Sequence, residues 1–389
     1  MLHCVVIEVR QHLCCANVFL KFEKSLEVAE SLKINVNETK IQLQTPQCKT
    51  EILVNKYINI LPGTFSNLIV DTENASFRID IEDVHTEGED DKTGIRSGLL
   101  LNLTEQDEAT GLQCSNCEAL LAAEQKYEKI REFPSGTIDA SDFFCHHGPS
   151  FKDILIPSIK DLFYGFEFIV INMRSLEECV RVKENHLYCK RCLQYLGEGL
   201  FNSRAAKLWS DSVRFNNKKE ISNVFPLTDK SQIQRLMLKA IEETSLPSPE
   251  PLLRHMHFTK VLFEATFPNR QQQYLLMHIL EKQLPILNYR KEMDSKIVTD
   301  HQEIKLYENK AFKILYRLIN KEMRDDAVSY DTKWPTLLDY WQQNINILKM
   351  KISPFLFSAV CEELNNNTLI LPEIYRFNND NFSLSYIFY

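Results

Sequence analysis

Glycine is scarce in this chain, with 10 in 389 residues. A loop that cradles phosphate relies on backbone N–H groups freed by glycine, and the sequence has neither a Walker A loop nor a G-x-G-x-x-G following a strand. The nucleophile elbow G-x-S-x-G and the zinc-protease pair H-E-x-x-H are missing too, which sets aside nucleotide-driven enzymes and the common hydrolases. Positive charge is also short. Lysine and arginine number 45 against 53 aspartates and glutamates, a formal net charge of -8. No basic stripe offsets that balance, so direct binding to nucleic acid is not expected. No window approaches the roughly 20 apolar residues of a membrane span. In the opening "MLHCVVIEVRQHLCC", Glu8 and Arg10 interrupt the apolar run before a signal peptide can form. The expected setting is cytosol or nucleus, with no membrane partner.

Cysteine, by contrast, is plentiful at eleven residues. Without a secretory signal these read as thiols, metal ligands or core residues rather than a disulfide framework. Chance spacing would give roughly 0.3 CxxC pairs in a chain of this make-up. Two are present, Cys114 with Cys117 in "LQCSNCEALL" and Cys189 with Cys192 in "LYCKRCLQYLGE". Four thiolates around Zn²⁺ would tie the ends of the intervening segment together and add folding energy. Such a closed site is structural, because no coordination position is left for a substrate. Glu118 and Leu193 follow the two pairs, where a glycine is often found in a zinc knuckle.

The expected fold class is α+β, in three parts. Residues 1–105 carry short β-branched runs, "VVIEV", "VFLKF", "KIQLQT", "EILVN" and "FRIDI", which predict a sandwich or barrel-like sheet. Residues 106–200 form the zinc-tied segment. Residues 201–389 mix helix and strand. A helix is expected over 228–243, capped at Thr228 or Asp229, with Ile233, Leu236, Met237, Ala240 and Ile241 on one face. A long helix is expected over 302–324, with Tyr307, Ala311, Ile314, Leu315, Leu318 and Ile319 inward. Another is expected over 335–350, starting at Pro335, and a closing strand in the tail "NFSLSYIFY".

Two further sites could carry chemistry. In "DFFCHHGPSF", Cys145, His146 and His147 are adjacent, and successive side chains point in different directions, so one metal is rarely gripped by all three. They either reach outward, to a metal with distant ligands or one carried by a partner, or form a loop with a partly buried thiol and two solvated imidazoles. Cys361, in "SPFLFSAVCEELNNN", has Glu362 and Glu363 beside it, which oppose a thiolate. From these residues alone a buried core cysteine is the favoured reading, and only a distant base brought close by the fold would change it.

Taken in order, "CSNC", "FFCHH", "FEFIVIN", "CKRCLQYLGE" and "AVCEEL" followed by "LILPEIYRF" resemble the HECT-like ubiquitin-protein ligase family, the group described as binding a ubiquitin-conjugating enzyme. The resemblance runs from about residue 110 to the C-terminal end. It implies a protein that accepts ubiquitin from a conjugating enzyme and passes it to lysines of cyclin-type substrates and of itself. On that likeness Cys361 looks like the thioester cysteine. The family is also linked to pre-mRNA 3′-end processing, as a binder, chaperone or inhibitor of the cleavage and polyadenylation zinc endonuclease. That role implies a Cys-His loop entering the partner's active site, matched here by Cys145 with His146 and His147. The zinc site would then anchor both ends of the segment that presents Cys145.

Overall fold

The computed structural model describes residues 2–23, 32–45, 48–71, 73–84, 101–102, 109–134, 155–176, 178–217, 220–226, 231–245, 260–269, 271–291, 301–320 and 336–389. Strands dominate these residues. The described α-helices are α1 (Gln232–Ser245), α2 (Leu337–Gln343), α3 (Pro354–Thr368) and α4 (Glu373–Arg376). Among the described residues no helix is long and apolar enough to cross a membrane. Among the described residues the architecture is β-rich with few helices, and the sheets are open rather than closed into a barrel.

The chain divides into two compact units. The first comprises Met1–Gly94, Met277–Arg317 and Val360–Tyr389. Its strands follow the alternation of the sequence, since successive side chains in a strand leave opposite faces. Leu2–Arg10 folds back through a short turn into Cys15–Phe22 as an antiparallel pair. Asn74–Val84 adds beyond Cys15–Phe22, and residues 286–290 add beside Leu2–Arg10. A second sheet contains Lys33–Val36, Lys40–Gln44, Lys49–Leu53 and His301–Lys305. Its Ile41, Leu43, Ile52 and Ile304 share one core with Val5, Ile7, Val18 and Leu20. Two sheets with a common core are the arrangement of a sandwich.

The other face of the first sheet buries Cys4, Val6 and Phe19 with Ile286, Ala311, Ile370 and Tyr386. Glu8 lies on this face and is wholly buried. Its carboxylate receives Lys313 Nζ at 2.6 Å, Asn17 Nδ2 at 3.0 Å, Arg10 Nη2 at 3.2 Å and the Tyr386 hydroxyl at 2.5 Å. Burial pushes the Glu8 carboxyl up, but the Lys313 ammonium and these hydrogen bonds outweigh it and hold the pKa below the usual range.

Two helices expected from periodicity are corrected here. Residues 302–324 form no helix where described: the chain makes the strands His301–Lys305 and Tyr307–Asn320. Helical spacing and strand alternation both fit "YENKAFKILYRLIN". Antiparallel pairing of Ala311–Tyr316 with the expected closing strand, Ser383–Phe388, decides between them. Tyr307 and Leu318, expected inward, are 68% and 45% exposed. The helix expected over 335–350 is cut short, because α2 ends at Gln343 and Leu348–Lys351 is a strand parallel to Lys260–Thr266. Thr336 starts α2 with a capping box to Asp339, and Pro335 lies outside the described residues.

The second unit comprises Ile95–Leu276 and Leu318–Ala359. Its larger sheet runs Lys129–Glu132, Asp161–Gly165, Phe168–Asn172, Ala205–Trp209, Tyr195–Leu200, His186–Cys189, Val180–Lys183. Its smaller sheet runs Leu120–Gln125, Thr110–Cys114, Val213–Asn216, Ile221–Asn223. Leu112, Phe215, Ile169, Leu187, Leu196 and Leu208 from the two sheets form one core. Gly197 is required where it stands: its φ is +154° and a Cβ would lie 1.9 Å from the Lys207 carbonyl oxygen on the neighbouring strand. In α1 the expected inward residues Leu236, Met237 and Ala240 are buried. The expected caps Thr228 and Asp229 lie outside the described residues, and Ser231 does the capping. Its Oγ accepts from the Gln234 N–H at 3.2 Å while Gln234 Oε1 accepts from the Ser231 N–H at 3.0 Å.

Candidate metal centre

Each CxxC pair sits where a strand ends, Thr110–Cys114 for one and His186–Cys189 for the other. The two turns have the same backbone plan. The Cys114 N–H donates to the Ala119 carbonyl at 2.9 Å, and the Glu118 N–H to the Cys114 carbonyl at 3.0 Å. In the second turn, the Cys189 N–H donates to Gln194 and the Leu193 N–H to Cys189, both at 2.9 Å. The residue after each pair is left-handed, Glu118 at φ 59° and Leu193 at φ 61°. The glycine position of a zinc knuckle is therefore kept in conformation and filled by residues that strain to adopt it.

The four thiols converge. Cys114 Sγ lies 3.6 Å from Cys192 Sγ, and Cys117 Sγ 3.7 Å from Cys189 Sγ. All four sulfurs lie within 4.8 Å of one another, the spacing a tetrahedral S₄ site needs with metal–sulfur bonds of about 2.3 Å. The surroundings fit a metal as well. Backbone N–H groups of Cys117 and Asn116 hydrogen-bond to the Cys114 sulfur, that of Ala119 to Cys117, and that of Gln194 to Cys192. Such amides stabilise sulfur as thiolate. Without a cation the cluster is in conflict. Burial pushes the Cys114 thiol up to about 12. At Cys192 burial works the same way, but the Gln194 amide and neighbouring groups outweigh it and bring the thiol to about 7. A divalent cation resolves that conflict by replacing the protons.

Polar groups that sequence reasoning did not single out surround this centre. Ser115 Oγ donates to the Asp211 carbonyl at 2.9 Å. The Asp211 carboxylate accepts from Ser353 Oγ, which itself accepts the Leu356 N–H at 3.1 Å and so caps α3. Burial pushes the Asp211 carboxyl up to about 6. Lys207 stands 4.2 Å from the ring centres of both Phe168 and Trp209, and burial pushes its amine down to about 8 against the pull of Glu198. Glu198 receives Lys351 Nζ at 2.6 Å. The "LGE" that follows the second knuckle thus supplies a close-packing glycine and a counter-charge.

Cys361 lies in the middle of α3. Its neighbours Val360 and Leu364 are fully buried, and burial pushes its thiol up to about 12. Cys145, His146 and His147 lie outside the described residues.

The sequence match completes the picture. A family model described as "HECT-like Ubiquitin-conjugating enzyme (E2)-binding" matches residues 8–384. The chain belongs to this HECT-like, conjugating-enzyme-binding family. Among curated relatives, it is 26% identical over 54% of its length to a protein of Rattus norvegicus named as an E3 ubiquitin-protein ligase. It is 23% identical over 62% of its length to the protein of the same name from Mus musculus. The chain spans 55% and 63% of these two relatives. No solved structure matches it. In the HECT-like family match, the four converging cysteines, both strands that carry them and α3 all fall inside the matched residues.

Proposed function

We propose that this chain serves ubiquitin transfer as a ligase that binds a ubiquitin-charged conjugating enzyme and steers its thioester toward lysines of cyclin-type substrates and of itself. Zinc, held by Cys114, Cys117, Cys189 and Cys192, is its structural ion, and cytosol and nucleus are its setting. The observation that carries this reading is the conjugating-enzyme-binding match over residues 8–384. Four soft sulfur donors in a closed, amide-lined cluster favour zinc among the available divalent ions.

A relay through Cys361 would need its thiolate to attack the ubiquitin thioester, form a new thioester and release the conjugating enzyme's thiol. Burial pushes that thiol up, which opposes formation of the thiolate. Burial of this thiol supports the shorter route. A lysine amine attacks the thioester on the conjugating enzyme directly, and that enzyme's thiol leaves. The test mixes the protein with activating enzyme, a panel of conjugating enzymes and ubiquitin, and compares wild type with Cys361→Ala on non-reducing gels. Equal self-ubiquitination is expected. A reducible ubiquitin adduct in wild type alone would make Cys361 the nucleophile, and discharge of no conjugating enzyme would remove the ligase reading.

A second reading has one observation in its favour. Strands Lys129–Glu132 and Asp161–Gly165 pair in parallel, and the flanks are fastened by Glu128 N–H to Lys160 at 2.8 Å and Phe133 N–H to Tyr164 at 2.6 Å. The chain between them carries Cys145, His146 and His147, so a firm base supports the reading of a Cys-His segment offered to the zinc of the pre-mRNA endonuclease. Cys145→Ala should then abolish nuclease capture and leave self-ubiquitination intact. Retained capture would end this reading.

A further inference from the structure

The two knuckles share a backbone but differ in what they show to solvent. At the left-handed position one presents Glu118, the other Leu193, and Leu193 is 58% exposed. An apolar side chain held in a strained conformation and left in water adds nothing to the fold. It does not stand alone. Leu193 lines a cleft of about 360 Å³ together with Tyr195, Trp209, Pro268, Pro354 and Phe355. Phe355, in the first turn of α3, is 66% exposed.

The walls of this cleft are set before any partner arrives. Cys192, which also lines it, belongs to the four-thiol cluster. The Tyr188 hydroxyl donates to the Pro268 carbonyl at 3.0 Å. Asp211 and Ser353 fix the start of α3, from which Pro354 and Phe355 project. Rigid apolar walls with aromatic side chains are the makings of an interface hot spot, because little ordering entropy remains to be lost on binding. The same turn exposes Lys190 and Arg191, whose cationic ends donate to the Glu178 and Cys117 carbonyls.

We propose that this cleft, rimmed by Leu193 and Phe355 beside the four-cysteine centre, is where the conjugating enzyme docks, through an apolar loop. The occupant is chosen because the cleft lies within the residues matched to the conjugating-enzyme-binding family, and the inference rests on the function proposed above. The metal then shapes the knuckle that presents Leu193 and takes no part in transfer.

The test measures binding of the purified full chain to each member of a panel of purified conjugating enzymes by biolayer interferometry. Leu193→Glu copies the residue that the other knuckle already tolerates in the same conformation, and Phe355→Ala removes an exposed ring, so both should fold and keep their metal. Each is expected to weaken binding about thirtyfold, the scale of a single hot-spot residue. Wild-type affinity in both variants would overturn the proposal. So would loss of binding confined to Ile374→Asp with Phe377→Asp, which alters another exposed apolar stretch, 64% and 59% exposed at those residues. A wild-type dimer in sedimentation that these cleft variants dissolve would assign the cleft to a second copy instead. If no conjugating enzyme bound wild type, the function proposed above would fall, and this docking site with it.

Discussion

Glu8 and the four cysteines pose one problem in the two units of the molecule: groups that carry charge when placed where water is excluded. The first unit solves it from within. Glu8 is enclosed, and Lys313, Arg10, Asn17 and Tyr386 saturate its carboxylate. The second unit gathers four sulfurs within 4.8 Å, and the groups aimed at them are backbone amides, the Asn116 side chain and each other. Its Asp211 is held by the Ser353 hydroxyl, with burial pushing the carboxyl up to about 6. One unit is closed by its own lysine, and the other offers a four-sulfur site that an ion from solution could close. Their stabilities should therefore answer to different variables.

The largest expected effect is metal removal. Stripping the metal with a chelator, or Cys189→Ser, should cost the second unit on the order of 10 kcal/mol. Hydrogen exchange would show protection lost in Phe168–Asn172 and Tyr195–Leu200 and kept in Cys15–Phe22 and Asn74–Val84. Equal loss in both sets of strands would break the comparison.

Next is Lys313→Met, which leaves Glu8 buried without its closest cation. It should cost about 3–5 kcal/mol, confined to the first unit, with metal content unchanged. A denaturant melt with unit-specific probes checks this, and a variant as stable as wild type would show that Arg10 alone suffices.

Gly197→Ala should cost about 2–3 kcal/mol through collision with the Lys207 carbonyl. The loss should fall on the second unit even with metal bound, which separates packing from coordination. An unchanged midpoint would mean that the two strands can part there freely.

The smallest effects are in pH, and their signs are opposite. Glu8 has a depressed pKa in the folded state. Its contribution is full above the unfolded carboxylate value and is lost as pH falls through the lower folded one. Asp211 has a raised pKa, from 3.8 to about 6. Its contribution is full below 3.8 and is lost as pH rises through 6, so Asp211→Asn should remove that pH dependence. Exchange protection followed from pH 4 to 7 should decline with rising pH in the second unit through this residue. A decline that survives Asp211→Asn would assign it elsewhere.

What could be read in the sequence follows the range of the interactions. The CxxC pairs are local and their spacing is visible, so their pairing into one cluster could be inferred. The left-handed turn after each pair could not, because Glu118 and Leu193 occupy a position that usually advertises itself as glycine. Glu8 was visible as a charge interrupting an apolar run, and its partners Lys313 and Tyr386 lie 305 and 378 residues away. Asp211 and Ser353, 142 residues apart, were equally hidden. The helix expected over 302–324 fails for the same reason: the pattern in "AFKILYRL" suits either period, and the choice is made by a strand some seventy residues later. At Cys361 the local signal and the structure agree in direction, since two adjacent glutamates and burial in α3 both oppose a thiolate.

The most direct test of the account is the metal content of the purified full-length chain, by elemental analysis paired with native mass spectrometry. One zinc per chain in wild type, lost in Cys114→Ser together with exchange protection of the second unit, is the predicted result. A wild-type protein that is folded, protected in Tyr195–Leu200 and free of metal would contradict it.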